Sequence, residues 1–171
     1  MFVTPWTATP KEACSDGRYA QDVMRPSTPR EFLDDAERAA IEGEIAEAER
    51  KTSAEIRVHL ERKVEGSVFN WSGRKFEALG MKKTAARNGV LIVLAIENRE
   101  FAILGDQGIN SRVEKNFWDD ARDAMATCFR NDDFAGGLRA GVRCAGEKLA
   151  LHFPRAATDT NELADAISCS D

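Results

Sequence analysis

The sequence predicts an α/β fold, a three-layer α/β/α sandwich, and three observations lead to this prediction. The apolar run "GVLIVLAI" has no polar alternation, which is typical of a central strand covered on both faces. The segment "AEIRVHLER" alternates polar and apolar residues, as a strand does. Helical apolar stripes precede, separate and follow these strands. The first two strands are therefore expected to form a parallel βαβ unit, and a turn at residues 97–99 adds a third, antiparallel strand.

Composition indicates one soluble globular domain, since the 171 residues are 43% hydrophobic and 31% charged. A net charge of −5 disfavours nucleic acid as a partner. The four cysteines have no C-x-x-C spacing and do not indicate a zinc site. The longest apolar run is far shorter than the roughly 20 residues of a membrane-spanning helix, and the first thirty residues do not resemble a secretory signal. We therefore expect no membrane insertion and a cytoplasmic location.

Three segments are predicted along the chain. Residues 1–30 contain most of the prolines and no periodicity, and are expected to form a flexible N-terminal arm. Residues 31–155 are expected to form the compact domain. Residues 156–171 follow Pro154 and are predicted to be a C-terminal tail.

The first helix is predicted from Asp34, a favourable N-cap, with Ile41 and Ile45 at helical spacing. The strand that follows places Ile56 and Val58 on an apolar face, and its polar residues are expected to face solvent.

A second helix is predicted with a possible cap at Asn70 and an end at Gly80. After the hairpin, apolar residues from Val113 onward predict a third helix. A stop signal at residues 131–133 and Pro154 bound the fourth.

This topology brings three polar clusters to one edge of the sheet, where the first two strands begin and the third ends. They lie in the segments "KTSAE", "KTAARNG" and "GDQGIN". The amino edge of the sheet is therefore the candidate site, although open α/β sheets usually bind ligands at the opposite edge.

Carboxylates from separate segments around this edge are candidate ligands for a hard cation such as Ca²⁺ or Mg²⁺. The candidates are Asp106, Glu55, Glu114 and Asp119. The alternative is structural: Asp106 accepts backbone hydrogen bonds in a glycine turn, and the other acids form ion pairs or cap a helix.

Four polar residues are candidates for binding a substrate, namely Arg87, Asn88, Thr52 and Ser53. A guanidinium forms bidentate hydrogen bonds with phosphate or carboxylate groups, so Arg87 is the central candidate. A buried structural ion pair explains Arg87 equally well. No catalytic residue is assigned, because the chain contains no nucleophile elbow, P-loop or paired histidines.

Several motifs in order resemble the TPM-domain family, in its short soluble branch. They are "TSAEIRV", "LGMKKTAARNGVLI" and "FAILGDQGI", within a resemblance that runs from about Phe32 to Ser168. The resemblance implies an α/β/α sandwich, binding of Ca²⁺ or another divalent ion in some members, and the acid phosphatase activity attributed to plant members. It places the family's polar positions at Thr52, Ser53, Glu55, Arg87, Asn88, Asp106 and Glu114. Longer members carry a signal peptide and a membrane anchor that are not expected here, and Ala54 stands where near relatives often have glycine.

Two functions remain open at this point. The first is a domain that binds a divalent cation and weakly hydrolyses phosphomonoesters. The second is a non-catalytic module for protein interaction, assembly or repair, in which the polar loops are structural. The expected partner is accordingly a phosphomonoester or another protein.

Overall fold

The computed structural model of the chain describes residues 2–5, the backbone only, together with residues 25–157 and 161–170. The strands are β1 (Phe2–Pro5), β2 (Glu55–Glu61), β3 (Gly89–Ala95), β4 (Glu100–Gly105) and β5 (Ser168–Cys169). The helices are α1 (Asp35–Glu49), α2 (Val68–Ala78), α3 (Gln107–Asn110), α4 (Asp119–Arg130) and α5 (Phe134–His152), with a single 3₁₀ turn at Met81–Lys83.

The strands form one mixed sheet in the order β1-β4-β3-β2-β5. Strands β2 and β3 are parallel, and β3 and β4 are an antiparallel hairpin, as predicted. The parallel pair follows from the crossover through α2, and the hairpin from the short turn after Ala95. Two edge strands, β1 and β5, extend the sheet on either side.

Helices cover both faces of the sheet and make three layers, which confirms the predicted sandwich. One face packs against α1, α4 and α5, with Val90, Ile92 and Leu94 of β3 in the shared core. The other face packs against α2 and the 3₁₀ turn, with Leu91 and Val93 facing that side. Strand β3 is buried along its whole length because it has helices on both faces.

Helix α1 begins where predicted. Asp34 Oδ1 accepts a hydrogen bond from the Glu37 backbone N–H at 2.7 Å, and Glu37 accepts one from the Asp34 N–H at 3.0 Å. This reciprocal capping box satisfies two N–H groups that the helix leaves free.

The N-cap of α2 was predicted wrongly. The helix begins at Val68, and the hydroxyl of Ser67, not the side chain of Asn70, caps it. The helix starts three residues earlier than predicted, and Val68 in its first turn packs into the core beneath it. The predicted end holds, since Gly80 takes the left-handed conformation with φ of 73°.

The predicted third helix is wrong in its first turns. The chain forms the short α3, then a turn, and α4 begins only at Asp119. The side chain of Asp106 caps α3 by accepting the Gln107 N–H, and Asn110 returns a hydrogen bond of 2.8 Å to Gly105 O. Phe117 is buried from this turn and lies four residues from both Val113 and Ala121, so its spacing resembled helical periodicity.

The polar face of β2 is covered, contrary to the half-buried strand that alternation predicted. His59 lies fully buried, stacked on Trp71 of α2 with ring centroids 5.7 Å apart. Its Nδ1 lies 2.8 Å from Ser168 Oγ of β5. Alternation in the sequence shows which residues are polar but not whether they are exposed. Here the polar side chain of His59 has partners inside the fold.

Both added edge strands lie outside residues 31–155. Most of the predicted N-terminal arm, residues 6–24, is outside the described residues, and the division into arm, domain and tail stays a prediction. Within the described ranges, no helix has the length and apolar character needed to cross a membrane.

Candidate functional site

The three polar clusters lie along the amino edge of the sheet, as the topology predicted. Glu55 at the start of β2 pairs with Gly89 at the start of β3, and Val90 pairs with Gly105 at the end of β4. The Asp106 N–H then donates to Gly89 O at 2.9 Å, so Glu55 and Asp106 flank Gly89 from opposite sides.

The pleat of the strands divides these clusters between the two faces of the sheet. Asn88 lies two residues before Val90, whose side chain belongs to the α1, α4 and α5 core. Asp106 lies two residues after Leu104, whose side chain belongs to the α2 core. Asp106 and Asn88 therefore do not contribute to one cavity.

Arg87 and Asp106 form the central ion pair of this edge. Arg87 Nε is 2.6 Å from Asp106 Oδ2, and Nη2 is 2.9 Å from Oδ1. This is the bidentate geometry that a guanidinium and a carboxylate favour. The carboxylate is almost fully buried and half-exposed Arg87 covers it. The Asp106 hydrogen bonds raise the pKa of Arg87 above its ordinary value.

Arg87 adopts a left-handed backbone with φ of 52°, which is uncommon for a residue other than glycine. Three contacts hold it there: the ion pair to Asp106, the Arg87 N–H, which donates to Thr84 O at 3.1 Å, and the Arg87 carbonyl, which accepts the Gly108 N–H at 2.8 Å. Arg99 after β3 and Asp132 between α4 and α5 have similar φ values of 54° and 59°, so this conformation alone does not mark a site.

Thr52, Ser53 and Asn88 come together, but their polar atoms tie loops to each other. Thr52 Oγ1 donates to Phe153 O at 2.7 Å, and Asn88 Nδ2 donates to Ser53 O at 2.7 Å. The Asn88 N–H donates to Thr84 Oγ1 at 3.1 Å. The Asn88–Ser53 bond fixes the start of β3 against the start of β2, and the Thr52 bond joins the same loop to the end of α5.

The four predicted carboxylate ligands do not converge. Both oxygens of Glu55 accept backbone N–H groups, those of Glu162 and Leu163, at 3.0 Å each. Asp119 pairs with Arg122 at 2.8 Å, and Glu114 is exposed before α4. Within residues 25–157 and 161–170, no group of three or more His, Cys, Asp or Glu side chains is arranged to hold a metal. The assignment of these four residues to a metal stays a prediction.

Glu49 is a buried acid of this edge that the sequence reading missed. It is 5% exposed, and its carboxyl Oε1 accepts the Ile56 N–H of β2 at 2.8 Å. Burial, opposed by that hydrogen bond and reinforced by nearby Glu55 and Asp165, raises the pKa of Glu49 to about 8. Its burial could have been predicted from the sequence, because Glu49 lies four residues after Ile45 on the apolar stripe of α1.

A groove of about 490 Å³ opens on the α2 face beside Asp106, and we call it the α2 groove. Its walls come from one face of α2, from the 3₁₀ turn and from the end of β4 with α3. The apolar part includes Phe76 and Leu104, the acids are Glu77 and Asp106, and the cations are Arg74 and Lys82. Lys82 pairs with Glu77, and both line the groove.

Comparison with known proteins identifies the family. The family model described as the TPM domain matches residues 27–148. This chain belongs to the TPM-domain family. The TPM domain described here is similar to the BA42 protein from the psychrophilic bacterium Bizionia argentinensis, with 43% identity and a TM-score of 0.80. That match covers 85% of this chain and 100% of BA42. No curated protein matches this chain.

Two more distant solved structures share the fold of this TPM domain. The N-terminal domain of cg2496 from Corynebacterium glutamicum is 17% identical with a TM-score of 0.55, covering 81% of this chain and 80% of that one. The N-terminal domain of a protein from P. gingivalis is 20% identical with a TM-score of 0.60, covering 72% and 82% respectively. At these identities the likeness extends to the fold alone.

Proposed function

We propose that this TPM domain binds a divalent cation, Ca²⁺ or Mg²⁺, in the α2 groove, with Asp106 as the central ligand. The observation that supports it is the set of oxygen donors on one groove. The carboxylates of Asp106 and Glu77 line it together with the amide side chains of Asn70, Gln107 and Asn110. Carboxylate and amide oxygens are the ligands that hard cations prefer.

Arg87 controls access to this ligand in the proposal. Its guanidinium already occupies both oxygens of Asp106, so an incoming cation competes with it for the same carboxylate. Cation binding then releases the Arg87 side chain from the ion pair. Because the side chain is half exposed, it can turn toward solvent without leaving a buried charge behind.

A phosphomonoester is the substrate class that this arrangement suits. A divalent ion neutralises phosphoryl oxygens and activates water for attack on phosphorus. Arg87, once displaced, offers a guanidinium for a phosphate oxygen beside the ion. Among the described residues that line the groove there is no serine, threonine, cysteine or histidine. Because the proposal assigns the groove carboxylates, Asp106 and Glu77, to the cation as ligands, the nucleophile it uses is water and not a side chain.

Titration of the full chain with CaCl₂ and MgCl₂ at constant ionic strength, followed by amide chemical shifts, tests the binding. We expect shifts in residues 70–77, 87 and 105–110. Asp106→Asn keeps the cap of α3, because asparagine is an equally good N-cap, and it should weaken binding at least tenfold. Arg87→Gln removes the competing cation and should strengthen binding.

Glu147→Gln is the matched control, since Glu147 is an exposed acid on α5 that does not line the groove. Binding in this variant should equal wild type. Unchanged binding in Asp106→Asn, or equal losses in Asp106→Asn and Glu147→Gln, rules out the site. A p-nitrophenyl phosphate assay with and without the ion then decides whether binding is linked to hydrolysis.

A non-catalytic interaction module is the second candidate, and the internal pairing of the site favours it. Asp106 is paired with Arg87, Glu77 with Lys82, and Glu55 with two backbone N–H groups. A site whose charges are already satisfied needs no ion to be stable. Cation binding without any ion-dependent hydrolysis supports this second candidate over the first.

A further inference from the structure

The α2 groove has the size and surface of a site for a small organic ligand. Its volume of about 490 Å³ falls within the roughly 300–1,000 Å³ of typical small-molecule pockets. Apolar atoms form most of its wall, with Phe76 from α2 and Leu104 from β4. A hydrated cation and a phosphate alone do not use such a surface, because burial of apolar area favours an apolar body.

Space for that body is left open by Gly73. Asn70, Gly73, Arg74 and Glu77 follow the i, i+3, i+4, i+7 spacing of one helical face, and all line the groove. A Cβ at Gly73 would meet nothing within 4 Å. The centre of this helical face therefore carries no side chain. The guanidinium of Arg74 lies on one side of this gap and the amide of Asn70 on the other.

Arg74 is the cation of this groove that has no ionic partner. Lys82 pairs with Glu77, and Arg87 beside the groove pairs with Asp106. Arg74 is exposed to solvent at the edge of the groove, and across residues 25–157 and 161–170 it has neither an ion pair nor a side-chain hydrogen bond. An unpaired guanidinium next to an apolar wall favours a ligand with one anionic group joined to an apolar body.

We propose that the α2 groove binds a small amphipathic anion, a carboxylate with an apolar body. Its anionic group contacts Arg74, and its apolar body lies over Gly73 against Phe76 and Leu104. This site uses no divalent ion, so it goes beyond the function proposed above and does not depend on it.

The experiment titrates the full chain with four probes in the presence of EDTA, and follows amide shifts of residues 70–77 and 104–110. The probes are 3-phenylpropionate, its neutral amide, 3-phenylpropylamine and acetate. We expect the aromatic carboxylate to bind about tenfold more tightly than the amide, because a hydrogen bond between two charged groups is stronger than one to a neutral group. The amine and acetate should bind more weakly than the amide or not measurably.

Two variants and a control separate this site from nonspecific binding. Arg74→Gln should remove the preference for carboxylate over amide. Gly73→Leu should fill the groove and abolish binding of both, and it should fold well because leucine is a better helix former than glycine. Arg143→Gln is the control, an exposed arginine on α5 at the opposite face of the sheet, and it should bind like wild type.

Equal affinity for carboxylate and amide, or an unchanged preference in Arg74→Gln, overturns the proposal. Shifts that map outside residues 70–77 and 104–110 also overturn it. Since EDTA removes divalent ions, loss of this site and loss of the cation site are observed separately. Carboxylate binding that persists in Asp106→Asn shows that the two do not depend on each other.

Discussion

The guanidinium of Arg87 holds the buried carboxylate of Asp106 through hydrogen bonds of 2.6 and 2.9 Å, and does so from a left-handed backbone position with φ of 52°. The same carboxylate accepts the Gln107 N–H at 2.7 Å and so starts α3. One ion pair therefore links the loop before β3 to the segment after β4. Contacts on both sides of Arg87 are what keep an uncommon backbone conformation in place.

Comparing Arg87→Gly with Arg87→Ala should separate the ion pair from the backbone strain. Both variants lose the contact with Asp106, but glycine adopts positive φ freely whereas alanine does not. We expect Arg87→Gly to melt about 2–4 °C above Arg87→Ala. Thermal unfolding followed by circular dichroism measures the difference. Equal melting temperatures would mean that the loop relaxes once the ion pair is gone.

Gly108→Ala should destabilise the domain by about 2 kcal/mol or more. A Cβ at Gly108 would lie 2.3 Å from Ala86 O and 2.6 Å from Arg87 O, and both are backbone atoms that cannot rotate away. The matched control is Gly43→Ala on α1, where a Cβ meets nothing within 4 Å. That variant should gain up to about 1 kcal/mol from helix propensity. Urea unfolding measures both, and a stable Gly108→Ala variant would contradict this close approach.

The central elements could be predicted because their signals are local. Asp34 caps α1 and Ile41 and Ile45 mark its buried face, and the uninterrupted apolar run of β3 indicates helices on both sides. Strands β1 and β5 could not, because they have four and two residues and pair at the sheet edges. Strands this short have no measurable periodicity, and only their partners make them strands.

The sequence predicted which edge of the sheet these polar residues share, but not the face of the sheet on which each side chain lies. Topology alone brings Glu55, Asn88 and Asp106 to the start of β3. The alternation of side chains then sends Asn88 and Asp106 to opposite faces, and Glu55 toward the backbone at Glu162 and Leu163. The α2 groove depends on where α2 lies over β4, which is a matter of tertiary packing. No single-sequence pattern reports that position.

Buried His59 should make the domain less stable in acid. Desolvation, with a smaller effect of Lys75, lowers its pKa to about 4, against the opposing influence of Glu61 and Ser168. The unfolded chain binds this proton near pH 6.5 and the folded chain only near pH 4, so stability is complete above pH 6.5. We expect a loss of about 3 kcal/mol from this residue as the pH falls from 6.5 to 4.

The measurement for His59 is its ring titration by NMR together with urea unfolding across that range. The chain has two histidines, and His152 is exposed, so His152→Gln is the control. His59→Gln should flatten the acid limb of the stability profile, whereas His152→Gln should keep it. A His59 ring that titrates near pH 6.5 in the folded protein would contradict the burial described here.

Glu49 should act in the opposite direction, at higher pH. Its carboxyl is buried, and its pKa is raised from 4.5 to about 8. The folded chain therefore keeps a proton that the unfolded chain has already lost. Stability from this group is complete below pH 4.5, falls as the pH rises toward 8, and is lost above it.

Glu49→Gln should remove that loss, because a neutral amide is not penalised by burial and its oxygen can still accept the Ile56 N–H. We expect the variant to be more stable than wild type by a few kcal/mol at pH 8 and nearly equal to it at pH 5. Glu47→Gln, a half-exposed acid on the same helix, is the control and should change stability by less than about 1 kcal/mol at either pH. Urea unfolding at pH 5 and pH 8 measures all three proteins. If Glu49→Gln gains no more at pH 8 than at pH 5, then the Glu49 carboxyl is ionised in the folded state and its burial is offset by partners other than Ile56.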